Sequence, residues 1–378
     1  MLSGIDTVRE NDPRFKGGRI ALLTNPSGRN KDGKPDIDIL NDMFGLSCLF
    51  APEHGIRGNG NAGEEMSSFT DPVTNLMVYS LYGSHRELTE EMLDSFDILV
   101  YDIQDVGVRF YTYISTMRGV MRACAKAGKK MIVLDRPNPL GGTALEGGVL
   151  NKDFLSFVGC YDIPVRYAMT PGEIALMMNA ESECPCELEV VPLEGWNRND
   201  TFHEYGKVWF PPSVSLMNYE NTLLYPGTCL FEGTNLSEGR GTAAPFRIIG
   251  APFVDGDKLT DEFMKLKLPG VYSTPVWFNP SASKHSSKAC GGILLHVTDY
   301  HEVRPYETGL RLLYLIKEMY PNDFEFLSED REGGHKWISL LSGDDRILDG
   351  ELGVEELLNQ YCEEHRIFNK RKESYRLY

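Results

Sequence analysis

The stretch ILVYDIQDVGVRFYTYISTMRGVMRACAKAGKKMIVLDRPN, from Ile98 to Asn138, carries the reading that decides the fold. Ile98 to Asp102 is a short apolar run of strand type. Ile114, Met117, Met121 and Cys124 then recur on one helical face, Gly128 stops the helix, and Met131 to Leu134 is a second buried run. Strand, crossover helix and strand make the unit of a parallel sheet, since parallel neighbours need a long connection. The alternation continues outward on both sides. Arg19 to Thr24, Leu46 to Phe50 and Met77 to Tyr82 read as strands, with helical spacing over 36–44 and 88–93. Downstream, Thr170-Pro-Gly-Glu173 is a capping box with proline at the first helical position. That helix runs to about Asn179, and Leu188 to Leu193 resumes strand. An α/β fold follows, a parallel sheet with helices on both faces.

The second half differs. It is rich in Pro and Gly from Phe210 to Pro252, then shows a strand near Gly292 to Val297, a helix from Pro305 to Tyr320 and a last amphipathic helix over Asp349 to Tyr361. This predicts a smaller α+β domain, dividing the chain into 1–200 and 201–378. A length of 378 residues suits two domains at about 150 residues each. Lys and Arg number 38 against 55 Asp and Glu, a net charge of −17 that disfavours nucleic acid as a partner. No apolar run approaches the ~20 residues of a membrane span. The start shows neither a basic n-region nor an apolar h-region, so no signal peptide is visible; the compartment is periplasmic or extracellular if a leader has been removed and cytoplasmic otherwise. Eight cysteines are too few for a disulfide scaffold, and Cys184-Pro-Cys186 has neither zinc spacing nor a neighbouring His. No metal and no cofactor are expected.

Parallel sheets bind ligands beyond the carboxyl ends of their strands. Those ends deliver Asn25, Glu53-His54, Asp102 with Asp105, and Asp135-Arg136 with Asn138. Ala51-Pro-Glu-His-Gly-Ile-Arg-Gly58 is the densest segment, and Glu53 suits a proton donor if its surroundings raise its pKa. The plain alternative is a polar turn in which Glu53 and Arg57 pair. Gly58-Asn-Gly-Asn-Ala-Gly63 has the GxGxxG spacing but does not join strand directly to helix, so it reads as a loop carrying Glu64 and Glu65 over a cleft. Asp102 to Tyr113, with Arg109 inside it, mixes carboxylates, an amide and aromatic rings, as a sugar site requires; a strand-end Asp capping the next helix is the alternative. Glu232, Asn235, Glu238 and Arg240 form the second domain's equivalent, and Ser283-Lys-His285 offers further polar contacts. No GxSxG elbow and no GK[ST] phosphate loop occurs.

Six ordered blocks resemble the NamZ family: Asn25-Pro-Ser-Gly28, Pro52-Glu-His-Gly-Ile-Arg-Gly58, Asp102 to Tyr111, Asp135-Arg-Pro-Asn-Pro-Leu-Gly-Gly142, Leu224-Tyr-Pro-Gly-Thr228 and Glu232 to Thr242. The family's members are exo-β-N-acetylmuramidases of peptidoglycan recycling. The resemblance implies a Rossmann-like domain, a smaller barrel-like domain, a site between them, and release of terminal N-acetylmuramic acid from the non-reducing end of cell-wall fragments. It implies Glu53 as the catalytic residue, beside His54, with Glu64 as a second candidate. A muramic-acid-containing saccharide or muropeptide is the implied partner, and the oligomeric state stays open. Its lactyl carboxylate calls for an arginine, for which Arg57, Arg109 and Arg240 are the candidates. The chain departs from the family at Ala51 and Ile56, where Gly and Phe are usual, and over Pro211 to Met217, where a P-S-P-N-M-P stretch has lost its Asn and a Pro. The alternative is a non-catalytic cell-wall saccharide-binding protein on the same fold.

Overall fold

The computed structural model describes residues 1–52, 55–57, 68–81 and 88–378. Strands β1 (Ile20–Thr24), β2 (Leu46–Ala51), β3 (Phe69–Thr70), β4 (Met77–Ser80), β5 (Ile98–Asp102), β6 (Lys130–Leu134) and β7 (Glu187–Val191) form one sheet in the order β3-β4-β2-β1-β5-β6-β7. Every pairing is parallel except β3 with β4. β1 and β5 are buried at all five positions, which is why they read as continuous apolar runs rather than alternating ones. Ala21 and Leu23 face one core and Ile20 and Leu22 the other. The helix Tyr113–Ala127 ends where Gly128 turns left-handed at φ 64°, and Thr170 and Glu173 form the expected capping box on Pro171–Ala180.

The second sheet is antiparallel, β8 (Ile248–Ala251), β9 (Val271–Phe278) and β10 (Cys290–Val297) in the order β8-β10-β9. β10 and the helix Pro305–Met319 stand where the sequence predicts them. The sequence reading passes over β8, β9 and the helices Tyr219–Thr228 and Gly256–Lys265. Pro275 sits inside β9 and Pro226-Gly227 inside the first of those helices, and both read as breaks. Gly227 serves close helix packing instead: a Cβ there would lie 2.0 Å from the Pro305 carbonyl oxygen, so only glycine lets the two helices approach. The last helix is longer than predicted, Val354–Lys372, because it buries only Leu357, Tyr361, Phe368 and Lys372 and shows little apolar periodicity at its end. Beyond it Tyr378 returns to the first sheet, where its hydroxyl donates to Asp135 Oδ2 at 2.8 Å. One apolar core runs from Phe50, Tyr101 and Met117 through Leu224 and Phe246 to Leu313 and Tyr361, so the two sheets share an interior.

Candidate active site

β1 and β5 lie side by side, Thr24 opposite Asp102, and the chain leaves them in opposite directions, to β2 and to β6. This is the switch point at which an open parallel sheet opens a crevice at its carboxyl edge. Four predicted residues, Asn25, Asp102, Asp105 and Arg136, arise at this edge. Arg136 donates to Asp102 through Nε (2.5 Å to Oδ1) and Nη2 (2.8 Å to Oδ2), and both side chains are buried. Beneath them Thr24 Oγ1 lies against Asp36 Oδ2 and 3.0 Å from the Asp102 carbonyl oxygen. One hydroxyl has one proton, so the two contacts are both satisfied when Asp36 is protonated and donates to Thr24. Burial, then the Asp102 charge, pushes Asp36 well above the carboxylate range, in agreement. Gly28 makes this closeness attainable, since a Cβ would stand 2.2 Å from both Asp36 Oδ2 and Thr24 Oγ1. Asp36 escaped the sequence reading because it lies at a helix start, where a carboxylate is ordinary.

Among the described residues, Asn25 and Asp105 each keep one polar atom unpartnered. Asn25 Oδ1 accepts from Ser27 N at 3.0 Å and Ser27 Oγ at 2.5 Å, while its Nδ2 is buried with no hydrogen bond. Asp105 Oδ1 accepts from Tyr167 Oη at 2.6 Å and Gly107 N at 2.7 Å, while its Oδ2 is buried and free. Burial pushes Asp105 up to about 6. A raised carboxyl favours the folded state fully below its ordinary value near 3.8, and that stability is lost as pH climbs toward 6. Asp105→Asn keeps an acceptor for Tyr167 and Gly107 and cannot ionise. Its melting temperature is therefore expected to gain on the wild type between pH 4 and pH 7. A difference that stays constant with pH would show that Asp105 does not titrate in this window.

Several predicted residues prove to be framework. Arg109 is 0% exposed, its guanidinium donating to the carbonyls of Gly148 (2.7 Å), Ile163 (2.8 Å) and Leu341 (2.9 Å), so no face of it meets a ligand. Asp135 accepts from Arg136 N, Gly172 N, Thr170 Oγ1 and Tyr378 Oη, closing the helix start and the chain end on β6. Asn138 is spent on Met169 O and Leu140 N. Asn235 binds Asp323 O and Glu325 N, and His285 Nε2 lies 2.6 Å from Asn235 O, so these two brace the second domain's loops. Arg57 holds Asp71 at two points, 2.7 and 2.8 Å, and keeps Asp71 down at about 2. Glu53, His54 and Glu64 lie outside the described residues; in sequence, Glu53 follows the end of β2 by two.

Tyr113 and Arg240 do come together, from different halves of the chain. They line a crevice of about 80 Å³ with Tyr111, Ser215, Tyr225 and Phe246. Arg240 reaches Glu232 at 2.8 Å and Ser215 Oγ at 2.8 Å, stands 3.5 Å from Glu238, and lies 5.0 Å over the Phe246 ring. Phe246 pays for that position with a left-handed backbone, φ 62°, which is rare for a bulky residue and clusters at functional sites. Tyr111 packs edge-on to Tyr113 and Tyr225. Rings, hydroxyls and a guanidinium facing one crevice suit a sugar. Tyr225 belongs to the Leu224-Tyr-Pro-Gly-Thr228 block and was there to be found; Ser215 and Phe246 carry no signal of their own. Among the described residues, no three His, Cys, Asp or Glu side chains gather as metal ligands.

The model of "Exo-beta-N-acetylmuramidase NamZ, N-terminal" matches residues 20–220, and that of its C-terminal part matches 223–378. The peptidoglycan beta-N-acetylmuramidase NamZ of Bacillus subtilis (strain 168) is 42% identical over 382 residues, covering 100% of this chain and 91% of that protein. Crystal structures of two DUF1343 family proteins of Bacteroides fragilis NCTC 9343 superpose with TM-scores of 0.90 and 0.76 at 34% and 31% identity, each covering 100% of this chain and 98% of the other. The chain therefore belongs to the NamZ family of exo-β-N-acetylmuramidases.

Proposed function

We propose that this protein is a glycosidase that releases terminal N-acetylmuramic acid from the non-reducing end of peptidoglycan fragments. The observation that carries this reading is the pairing of a switch-point crevice with an aromatic, arginine-bearing cleft on a chain of this family. In it, residues 1–200 form the Rossmann-like catalytic domain and 201–378 the domain that covers the cleft. Glu53 is the proton donor, with His54 beside it and Glu64 as the second candidate. The sugar lies at the mouth of this cleft, over the edge of Tyr111, with Arg240 fixed between Glu232 and Ser215. Asp102 and Arg136 neutralise each other and shape the floor. A chromogenic glycoside of N-acetylmuramic acid tests the reading. Release of the chromophore is expected; saccharide binding without any turnover would leave the binding-protein alternative.

A further inference from the structure

The muramic lactyl group brings one negative charge to a protein of net charge −17, so a positive charge not already spoken for has to meet it. The arginines of the first reading do not supply it. Arg57 is held at two points by Asp71, Arg240 stands between Glu232 and Glu238, and Arg109 is buried against carbonyls. Arg136 is likewise held by Asp102.

Arg29 is different. It follows the tight Gly28 turn at the end of β1, half-buried; its carbonyl accepts from Arg136 Nη2 at 3.2 Å, and its guanidinium is fixed by uncharged partners alone. Nε donates to Pro26 O at 3.1 Å, Nη1 donates to Gly33 O at 2.8 Å, and the guanidinium lies 5.3 Å from the Phe210 ring centre. No carboxylate pairs with it among the described residues. It opens on a crevice of about 40 Å³ at the switch point, lined also by Ser27, Gln104, Arg136, Lys207 and Trp209. That is room for a small anionic group rather than for a sugar ring. The acidic groups here are Asp102, taken by Arg136, Asp36, which burial holds toward its protonated form against Thr24, and Asp6, which stands 3.4 Å from Lys207 and also accepts from Ser3 N and Lys31 N. Lys31 at the rim lies 3.5 Å from Asp32. One positive charge is left over, on Arg29, already oriented and partly shielded from water.

The crevice also adjoins the aromatic cleft. Lys207 to Phe210 line the first, and Ser213, Ser215 and Leu216 line the second, so one short segment separates them. That segment, Pro211-Pro212, begins the stretch Pro211 to Met217, where the sequence departs from the family pattern. β2, from which Glu53 follows by two residues, is the neighbour of β1 along the same edge.

Resting on the muramidase reading, we propose that Arg29 receives the lactyl carboxylate in this crevice, which the Trp209 and Phe210 side chains also line. The cleft then holds the sugar while the crevice reads the substituent that distinguishes muramic acid from N-acetylglucosamine. A charged hydrogen bond of this kind is worth roughly tenfold to more than a hundredfold in kcat/KM.

The test compares two chromogenic muramic glycosides, one with the free lactyl acid and one with its methyl ester, in the wild type and in Arg29→Met. The wild type is expected to prefer the acid by tenfold or more, and Arg29→Met to lose that preference. Arg29→Lys should restore part of it, and serves in place of Arg29→Met should that variant not fold, the expectation then being a reduced preference. An active wild type whose preference for the acid survives in Arg29→Met, or undiminished in Arg29→Lys, or that shows no preference at all, overturns this inference and leaves the muramidase reading standing. A wild type inactive on both glycosides overturns the muramidase reading and this inference with it.

Discussion

Glu53→Gln is expected to fold as the wild type does and to lose ~10²–10⁴-fold in turnover, the usual cost of removing a general acid. In sequence Glu53 follows β2 by two residues, and β2 is the neighbour of β1, whose end leads to Asn25. A glutamine there matches the size and polarity of the acid but has no proton to give to the departing glycosidic oxygen. The substrate has to carry a poor leaving group, since a good one departs without protonation and hides the loss. Near-full activity on such a substrate would remove Glu53 from the role of acid. Circular dichroism on the same sample separates lost chemistry from lost structure.

Arg109→Ala should act on stability, not on the reaction, and strongly. The guanidinium is inside the protein and ties three carbonyls, from Gly148, Ile163 and Leu341, across the two halves of the chain. Burial lowers its proton affinity to about 10, still far enough above neutral to keep it charged. Truncation leaves the Gly148 and Leu341 carbonyls without donors in a dry interior, while Ile163 O keeps Leu150 N at 3.2 Å. At ~1–3 kcal/mol for each buried unsatisfied group, with a cavity added, a loss of about 3 kcal/mol or more follows. Denaturant or thermal unfolding measures it. A variant as stable as the wild type would show that water or a local shift satisfies the carbonyls. Arg109→Met, which keeps the volume but not the donors, should remain well below the wild type.

The first domain was legible because its physics is local. The apolar runs at Arg19–Thr24, Ile98–Asp102 and Met131–Leu134, the Thr170 cap and the Gly128 stop each declare an element by themselves. The second was less so. Pro226-Gly227 signals a break, yet it lies in a helix whose close approach to Pro305–Met319 appears only once both helices exist. The same limit governs the site. The polar residues that follow β1 and β5 do come to one sheet edge, and Tyr113 and Arg240 line one crevice from different halves of the chain. Sequence does not say which polar residues are already engaged. Asp135 and Asn138 looked like recognition groups and instead hold the framework, because their partners, such as Tyr378 and Met169, come from distant segments. Asp36, Tyr167 and Arg29 drew no notice for the converse reason. Each has an ordinary local setting, and its partners or their lack are set by tertiary packing.

The most direct measurement is a digest of a peptidoglycan saccharide that begins with N-acetylmuramic acid at its non-reducing end, with products read by mass. Free N-acetylmuramic acid and a chain shorter by that one residue are predicted, with no internal cleavage and no release from chains that begin with N-acetylglucosamine. An intact substrate, internal fragments, or equal release of either terminal sugar would contradict the assignment.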